Sequence, residues 1–251
     1  MSEWLNLFRT VNARLNELFF QKEANSYLKY LHSIDSRLPS ARIVIDLGSG
    51  SVGLESYLTR LKENRIRAVA VDNHFEGIAT NPSLWKVAAD AEFLPFRDHT
   101  VDLICASCFF EHVENPQRVL SECYRVLKKG GTVVFYTPHR RSYVASIARM
   151  TPLWFHRWIR SLQTGEPLEM GEVCKTFYKM NTSYDLKRLS GSFQIQFLEK
   201  CIGAPSYTTF LFPPIHFLFM ILHKVIQLVP SLRISFGESL IGCLVKPGHG
   251  S

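Results

Sequence analysis

A glycine-rich turn between an apolar segment and a helical pattern is the sequence feature that most constrains the fold. Residues 42–47 read Arg-Ile-Val-Ile-Asp-Leu, and residues 48–53 read Gly-Ser-Gly-Ser-Val-Gly. Residues 54–62 then follow a helical pattern. This order opens the βαβ units of nucleotide-binding domains, because glycine lets the backbone approach a ligand closely. We therefore predict a strand, a turn and a helix, with the turn at a ligand site.

Short apolar segments alternate with helical patterns along most of the chain. Asn115 as a cap and Pro116 at the first helical position indicate a helix, which residues 128–131 (Lys-Lys-Gly-Gly) close. This alternation predicts an α/β fold, namely a Rossmann-like, mostly parallel, seven-stranded sheet with helices on both faces. The further predicted strands are residues 68–72, 85–89, 101–106, 132–136, 193–199 and 239–245.

The pattern divides the chain into four expected regions. Residues 1–40 are predicted to form an N-terminal helical cap, and residues 41–138 a cofactor-binding Rossmann-like core. Residues 139–192 are expected to form a helical insertion that can serve as a substrate lid. Residues 193–251 supply the last strands of the core and an apolar helix at about 214–229. A chain of 251 residues fits one α/β domain with such additions.

Acidic residues near the glycine turn distinguish between two nucleotide ligands. The three glycines, with Asp72 as an acceptor for ribose hydroxyls, fit NAD and S-adenosyl-L-methionine equally well. Asp46 would repel a pyrophosphate, whereas it suits a ligand that carries an ammonium group. Asp90 can accept from an adenine amino group, and the backbone N–H of Ala91 can donate to a ring nitrogen. The pattern therefore favours S-adenosyl-L-methionine as the cofactor.

Six short segments between residues 41 and 138 occur in a fixed order. They are Ile45–Gly50, Val71–Asp72, Asp90–Phe96, Val101–Ile104, Phe110–Pro116 and Arg125–Val134. In order and spacing they resemble the motifs of class I S-adenosylmethionine-dependent methyltransferases, within the broad group that includes quinone-biosynthesis methyltransferases. Ordered motifs of this kind are more specific than any one of them alone.

The resemblance implies roles for particular residues of the core. The group's third glycine would fall at Val52, whereas this chain has Gly53, so the turn departs from the pattern at one position. By the resemblance, Ser107 lies near the sulfonium of the cofactor, Asp72 binds the ribose, and Asp90 with Ala91 binds the adenine. The methionine end is implied to lie against Asp46, Gly48, Ser49 and Gly50.

Two candidate catalytic residues follow the fourth predicted strand. His112 is the best candidate for a general base and Glu111 stands beside it, although a histidine here can equally pack a short helix. His139, at the end of the fifth strand, is a second candidate. Some ubiquinone O-methyltransferases of the group carry a metal-binding acid three residues before the Glu-His pair. That position is Cys108 here, so we expect no metal.

Charge and cysteine content add two weaker expectations. The net charge is +7, and residues 139–190 hold nine Lys/Arg against four Asp/Glu, so this stretch attracts anionic partners or is simply a solvated face. Cys105 and Cys108 form a CxxC without a second pair at metal-binding spacing, which favours a structural role. With no signal-peptide pattern at the N-terminus, we expect a cytoplasmic protein.

The most apolar part of the sequence is residues 210–229. A helix at 214–229 has 16 residues, fewer than the roughly 20 that span a bilayer. Its polar residues fall on one narrow stripe, so the helix can lie in a membrane interface, cover a lipid-like substrate, join a dimer or be buried. We favour an interface or a lid, and hence peripheral membrane contact through 210–229 and the basic insertion. The stripe consists of His216, His223, Lys224 and Gln227.

The predicted function is transfer of a methyl group from S-adenosylmethionine to oxygen or carbon of a small or lipid-linked acceptor. A catalytically inactive cofactor-binding subunit of a membrane-associated complex is the alternative, which Val52 leaves open. An NAD-dependent reductase would need a Tyr-x-x-x-Lys that the chain lacks at any suitable site. No nucleic acid is expected as a partner, because residues 107–110 read Ser-Cys-Phe-Phe where base-amine methyltransferases carry Asn-Pro-Pro-Tyr. The acceptor and the oligomeric state stay open.

Overall fold

The computed structural model of the chain describes residues 2–20, 26–54, 61, 66–142, 145–146, 150–152, 154, 158–159, 161–162, 175–205 and 208–248. Most of the predicted helix at 54–62 and much of the predicted insertion at 139–192 lie outside these residues. The described helices are α1 (Ser2–Phe19), α2 (Ser26–Asp35), α3 (Phe75–Thr80), α4 (Pro116–Val126), α5 (Ser183–Leu189), α6 (Pro213–Leu228) and α7 (Pro230–Phe236). The described strands are β1 (Ile43–Leu47), β2 (Arg67–Asp72), β3 (Trp85–Ala88), β4 (Val101–Ser107), β5 (Leu127–Pro138), β6 (Gln194–Cys201) and β7 (Ser239–Val245).

The seven strands form one sheet in the order β3-β2-β1-β4-β5-β7-β6. Strands β1 to β5 pair in parallel, with Ile45 opposite Val69 on one side and Ile104 on the other. The strand order reverses beside β1, so the crossovers on its two sides run in opposite directions and place helices on both faces. The predicted Rossmann-like sheet is confirmed.

Strand β7 runs against its neighbour β5. The Gly130 N–H donates to the Lys246 carbonyl at 2.8 Å, and the Lys246 N–H donates to the Gly131 carbonyl at 2.9 Å. The start of β5 thus lies beside the end of β7, which makes this pair antiparallel. The sheet is therefore mixed but mostly parallel.

The core of the sheet consists of strands that are buried along almost their whole length. Val44, Ile45 and Leu47 of β1 are at most 1% exposed, as expected for a central parallel strand covered on both faces. Phe110 and Phe135 stack at the carboxyl side of the sheet, with ring centroids 5.0 Å apart. This packing fixes the strand ends from which the following loops leave.

The predicted start of the helix at Asn115 and Pro116 is confirmed, whereas its predicted closure by residues 128–131 is wrong. Asn115 occupies the cap position before Pro116, but its side chain makes no capping hydrogen bond. Helix α4 ends at Val126, and the segment 128–131 lies within β5 rather than closing the helix. The reason is that Leu127 takes an extended conformation at the helix end and is buried as the first residue of the strand.

The chain divides into two compact units. The helical unit holds α1, α6 and α7, and the sheet unit holds nearly all of the sheet with α3, α4 and α5. The helical unit comprises Met1–Leu28, Pro138–Lys175 and Lys200–Ser239, and the sheet unit comprises Lys29–Thr137, Thr176–Glu199 and Leu240–Ser251.

The fit of Phe135 against β7 predicts the effect of one substitution. A Cβ at Gly242 would lie 2.4 Å from Phe135 Cζ and 3.0 Å from Leu198 Cδ1, so Gly242→Ala must displace a buried aromatic ring. We expect Gly242→Ala to lower the free energy of unfolding by about 1–3 kcal/mol in denaturant titration. Gly248→Ala is the control, because no atom of the described part of the chain lies within 4 Å of its added Cβ. Equal stability of the two variants would contradict this packing.

Candidate cofactor site and the cluster around Glu111

The glycine turn is tied by its backbone to the end of β2. The N–H groups of Gly48 and Ser49 both donate to the Val71 carbonyl, at 2.8 and 3.2 Å. Gly48 and Gly50 have φ of +71° and +51°, in the region that side chains with a Cβ rarely adopt. Gly48 has a second requirement, because an added Cβ would lie 2.4 Å from Phe109 Cδ2. The first two glycines of the motif are therefore needed for the turn itself.

Asp72 joins the turn to the end of the neighbouring strand. One carboxylate oxygen accepts from the Gly50 N–H at 2.8 Å, and the other accepts from the His74 N–H at 2.8 Å. Each oxygen of an ionised carboxylate can accept two hydrogen bonds, so both retain capacity for a ligand. Asp72 thus positions the turn and presents acceptor atoms at the carboxyl edge of the sheet.

Asp46 is buried beneath the turn. It is 7% exposed, and its carboxylate accepts from the Leu54 N–H at 2.6 Å. Burial raises the pKa of Asp46 to about 7, and the negative charge of Asp72 adds to this rise, although the bond from Leu54 opposes it. Near neutral pH the carboxyl therefore exists in both protonation states.

Gly53 accounts for the one departure from the family motif. Gly53 has φ of +67°, and an added Cβ would lie 2.7 Å from Asn81 Oδ1, whereas the Val52 side chain is 54% exposed. The Asn81 side chain also donates to the Gly50 carbonyl at 2.7 Å and is itself buried. Asn81 therefore packs against the turn at Gly50 and Gly53. Because this contact leaves no room for a Cβ at residue 53, the third glycine is needed one residue later than in the motif that the sequence resembles. The sequence contains no signal that singles out Asn81 for this role.

The turn leaves space and an unpaired polar atom beside the carboxyl edge. Among the described residues, no atom lies within 4 Å of a Cβ built on Gly50. The Ser49 hydroxyl is buried and finds no hydrogen-bond partner among the described residues. An open approach to backbone and an unpaired buried hydroxyl are features of a site that a polar ligand completes. These residues fit the methionine end of S-adenosylmethionine.

Asp90 and Ala91 follow β3 at the same edge of the sheet. Asp90 is exposed, and one of its carboxylate oxygens accepts from the Glu92 N–H at 2.9 Å. Within the part of the chain that the structure describes, its second oxygen and the Ala91 N–H have no hydrogen-bond partner. An acceptor and a donor on adjacent residues match the edge of an adenine ring.

Glu111 is the centre of a buried polar cluster after β4. Glu111 is 4% exposed, and its carboxylate accepts from the Thr137 hydroxyl at 2.8 Å, to which the Asn181 amide also donates. The Glu111 carbonyl accepts from the N–H groups of Phe177 and Tyr178, at 2.7 and 3.1 Å. Burial raises the pKa of Glu111, which the nearby His112 partly offsets. The sequence did not point to this cluster, because its members are far apart along the chain.

His112 lies next to the cluster and is more accessible. Its Nε2 is 3.9 Å from Glu111 Oε1, and its side chain is 32% exposed, against 5% for Glu111. The imidazole can therefore meet a ligand, whereas the Glu111 carboxylate faces the interior. His139, the second candidate, belongs to the helical unit and is fully buried.

Ser107 and the two cysteines lie at or near the end of β4. Ser107 is half-buried as the last residue of β4. Cys105 is fully buried, whereas Cys108 is exposed at a φ of +50°. Among the described residues no group of three or more His, Cys, Asp or Glu side chains is arranged to hold a metal ion.

Comparison with known proteins identifies the same region of the chain. Residues 45–135 match a family model described as a methyltransferase domain. The chain is 30% identical over 155 residues to malonyl-[acyl-carrier protein] O-methyltransferase of Marinomonas sp. (strain MWYL1), covering 54% of each protein. It is 31% identical over 133 residues to demethylmenaquinone methyltransferase of Streptomyces avermitilis, covering 48% of this chain and 54% of that protein. The chain thus spans about half the length of these curated relatives.

A solved structure shares the fold over a longer stretch. Geranyl diphosphate C-methyltransferase from Streptomyces coelicolor A3(2) is similar with a TM-score of 0.57, covering 88% of this chain and 80% of that one. The sequence identity is 13%. At this identity the likeness shows the fold alone.

The buried Asp46 predicts how stability depends on pH. Its folded pKa of about 7 lies above the unfolded value of 3.8, so the folded state holds the proton more tightly. This contribution to stability is full below about pH 4, decreases as pH rises and is lost above about pH 7, a total of about 4 kcal/mol. We expect Asp46→Asn to remove this part of the pH dependence in denaturant titrations. Glu114→Gln, at an exposed position, is the control, and an unchanged slope in Asp46→Asn would contradict the burial.

Proposed function

We propose that this chain, whose residues 45–135 match a methyltransferase domain, is a class I S-adenosylmethionine-dependent methyltransferase that transfers a methyl group to oxygen or carbon of a small or lipid-linked acceptor. The observation that carries the proposal is the bond from the Gly50 N–H to the Asp72 carboxylate. It joins the glycine turn and the acid at the end of β2 into one edge, at which we propose that the ligand binds. Ligands of doubly wound sheets bind at this carboxyl edge, beside the reversal of strand order.

The cofactor would extend along the ends of four neighbouring strands, β3, β2, β1 and β4. Asp72 would accept from the ribose hydroxyls through the free capacity of its carboxylate oxygens. Asp90 and Ala91 would bind the adenine through the acceptor and the donor that have no partner among the described residues. The methionine end would lie against the residues of the turn and the two strands below it, namely Asp46, Gly48, Ser49, Gly50 and Ser107.

For catalysis the protein mainly has to align the acceptor with the methyl group of the cofactor. When bound, the cofactor supplies a methyl group that its sulfonium already activates. The residues of this chain have to hold the acceptor in line with that methyl group and exclude water. For an acceptor that must lose a proton, His112 would accept it at the imidazole. Glu111, fixed by Thr137 and the backbone of Phe177, would position the imidazole and stabilise its protonated form.

We take the lipid-linked acceptor class from the surface of the helical unit. The relatives are named for different acceptors, so their names support the class of reaction rather than one substrate. The helical unit exposes large apolar side chains on α6, including Leu218 and Leu228. Such a surface favours an acceptor that is reached at a membrane.

A methyl-transfer assay tests the proposal. The protein is incubated with methyl-labelled S-adenosylmethionine and either a membrane lipid extract or the water-soluble small molecules of the same cells. We expect label in the lipid fraction, and a roughly hundredfold slower transfer by His112→Asn at unchanged cofactor affinity. His32→Asn, an exposed histidine on α2, is the control and should leave the rate unchanged.

Two other outcomes of this assay have distinct meanings. Cofactor binding without labelled product in any fraction would favour the inactive cofactor-binding subunit. Equal rates for His112→Asn and the wild-type protein would remove His112 as the base, while leaving methyl transfer in place.

A further inference from the structure

Helix α6 carries its apolar side chains on the outside. Seven large apolar residues of this helix are between 41% and 78% exposed. Most recur at intervals of three or four residues and therefore lie along one face. The seven residues are Ile215, Phe217, Leu218, Ile221, Leu222, Val225 and Leu228.

The opposite face of α6 is buried and carries hydrogen-bonded polar side chains beside Met220 and Ile226. His216 bonds to the Thr208 hydroxyl at 2.9 Å and to the Asn16 amide oxygen at 3.2 Å. His223 bonds to the Gly203 carbonyl at 2.8 Å, and the Gln227 amide donates to the Ile202 carbonyl at 2.9 Å. Rotating the helix to bury its apolar face would break these bonds and leave their partners unsatisfied. The outward orientation of the apolar face is therefore specified by the polar contacts.

Helix α1 also buries polar side chains and exposes apolar ones. Asn12 is fully buried, and its amide donates to the carbonyls of Thr209 and Leu211 just before α6. Four apolar residues of α1 that recur at helical spacing are instead 37–80% exposed, namely Trp4, Leu7, Val11 and Leu18. Both helices therefore bury polar side chains and expose apolar ones, so each of them presents an apolar face.

The exposed faces of the two helices join at aromatic contacts. Phe19 and Phe217 meet edge to face with ring centroids 6.0 Å apart, and both rings are more than 40% exposed. Phe8 meets Phe212 in the same geometry at 5.8 Å. The surface is thus continuous across α1 and α6, and we call it the α1–α6 face. Contiguous apolar surfaces of this kind mark interaction sites.

The net charge of the residues that make up the helical unit distinguishes between possible occupants of the α1–α6 face. Residues 200–237 contain three Lys/Arg and no Asp or Glu, and the whole helical unit holds twelve Lys/Arg against seven Asp/Glu. Lys224, the one Lys or Arg on α6, follows Ile221 by three residues and precedes Leu228 by four, so it lies at the border of the apolar face, with its Nζ 4.8 Å from the centre of the Phe20 ring. Two copies of a net positive surface repel each other, whereas an anionic lipid surface attracts it.

We propose that the α1–α6 face docks onto an anionic lipid bilayer, with α6 lying in the plane of the interface. This deepens the proposed function by naming the surface at which a lipid-linked acceptor is met, although docking itself does not depend on methyl transfer. No helix among the described residues is long and apolar enough to cross a membrane. A helix of 16 residues with one exposed apolar face, and with basic residues in the same unit, suits insertion at the headgroup level.

Vesicle co-sedimentation of the full chain tests the proposal. Vesicles of phosphatidylcholine alone are compared with vesicles that contain equal phosphatidylcholine and phosphatidylserine. We expect binding to the anionic vesicles that weakens as salt is added, and little binding to phosphatidylcholine alone. Leu218→Ser should lower the partition coefficient about tenfold, and adding Leu222→Ser should lower it further.

Leu84→Ser is the matched control. Leu84 lies in the sheet unit and is 79% exposed, against 65% for Leu218, so the same chemical change is made at similar exposure. We expect Leu84→Ser to bind vesicles like the wild-type protein. Equal binding by Leu218→Ser, or no binding by folded wild-type protein, would overturn the docking proposal.

Two further measurements distinguish docking on lipid from dimerisation of the chain and from the proposed methyl transfer. A dimer in sedimentation velocity that Leu218→Ser dissociates, without vesicle binding, would assign the face to a second copy of the chain and overturn the proposal. Binding of S-adenosylhomocysteine should be the same for Leu218→Ser and the wild-type protein. Loss of methyl transfer with vesicle binding intact would count against the proposed function alone.

Discussion

The hydrogen bond from the Gly50 N–H to the Asp72 carboxylate is the interaction on which the candidate site depends. It connects the turn after β1 to the end of β2, and the bonds from Gly48 and Ser49 to the Val71 carbonyl hold the same two segments together. The turn needs positive φ at its glycines, and Asn81 fixes its far side at Gly53. Hydrogen bonds within the chain therefore join the strands, the turn and the acid into one edge.

The two units place polar and apolar groups in opposite ways. In the sheet unit, apolar strands are buried, and the polar groups that matter lie at the carboxyl edge of the sheet or in the cluster of Glu111, Thr137 and Asn181. In the helical unit, α1 and α6 bury Asn12, His216 and their partners, and expose their apolar faces. Apolar side chains that face water, above a layer of buried polar side chains, lower the stability of the folded protein unless a nonaqueous phase covers them. The proposed contact with lipid accounts for the exposed apolar faces of α1 and α6.

Sequence reasoning predicted the sheet because local signals determine it. The continuous apolar run of β1, the glycine turn and the acid at the end of β2 are each short in range, and the structure confirms the sheet that they predict. Residues 128–131 were assigned wrongly, because glycine and lysine after a helix resemble a helix end although the chain continues directly into β5. Asn81, Thr137 and Asn181 act through contacts between segments distant in sequence, which no local pattern encodes. The polar stripe of α6 was visible in the sequence, but its inward direction depends on packing against Asn16 and Thr208.

Calorimetric titration with S-adenosylhomocysteine tests the central claim, that the turn and Asp72 form a cofactor site. The wild-type protein is compared with Asp72→Asn and with Asp98→Asn, an exposed acid before β4 at the opposite edge of the sheet. We expect saturable binding by the wild-type protein and by Asp98→Asn, and affinity lower by about tenfold or more in Asp72→Asn, which loses a charged acceptor. Absence of binding by the folded wild-type protein, or equal affinity in Asp72→Asn, would contradict the account.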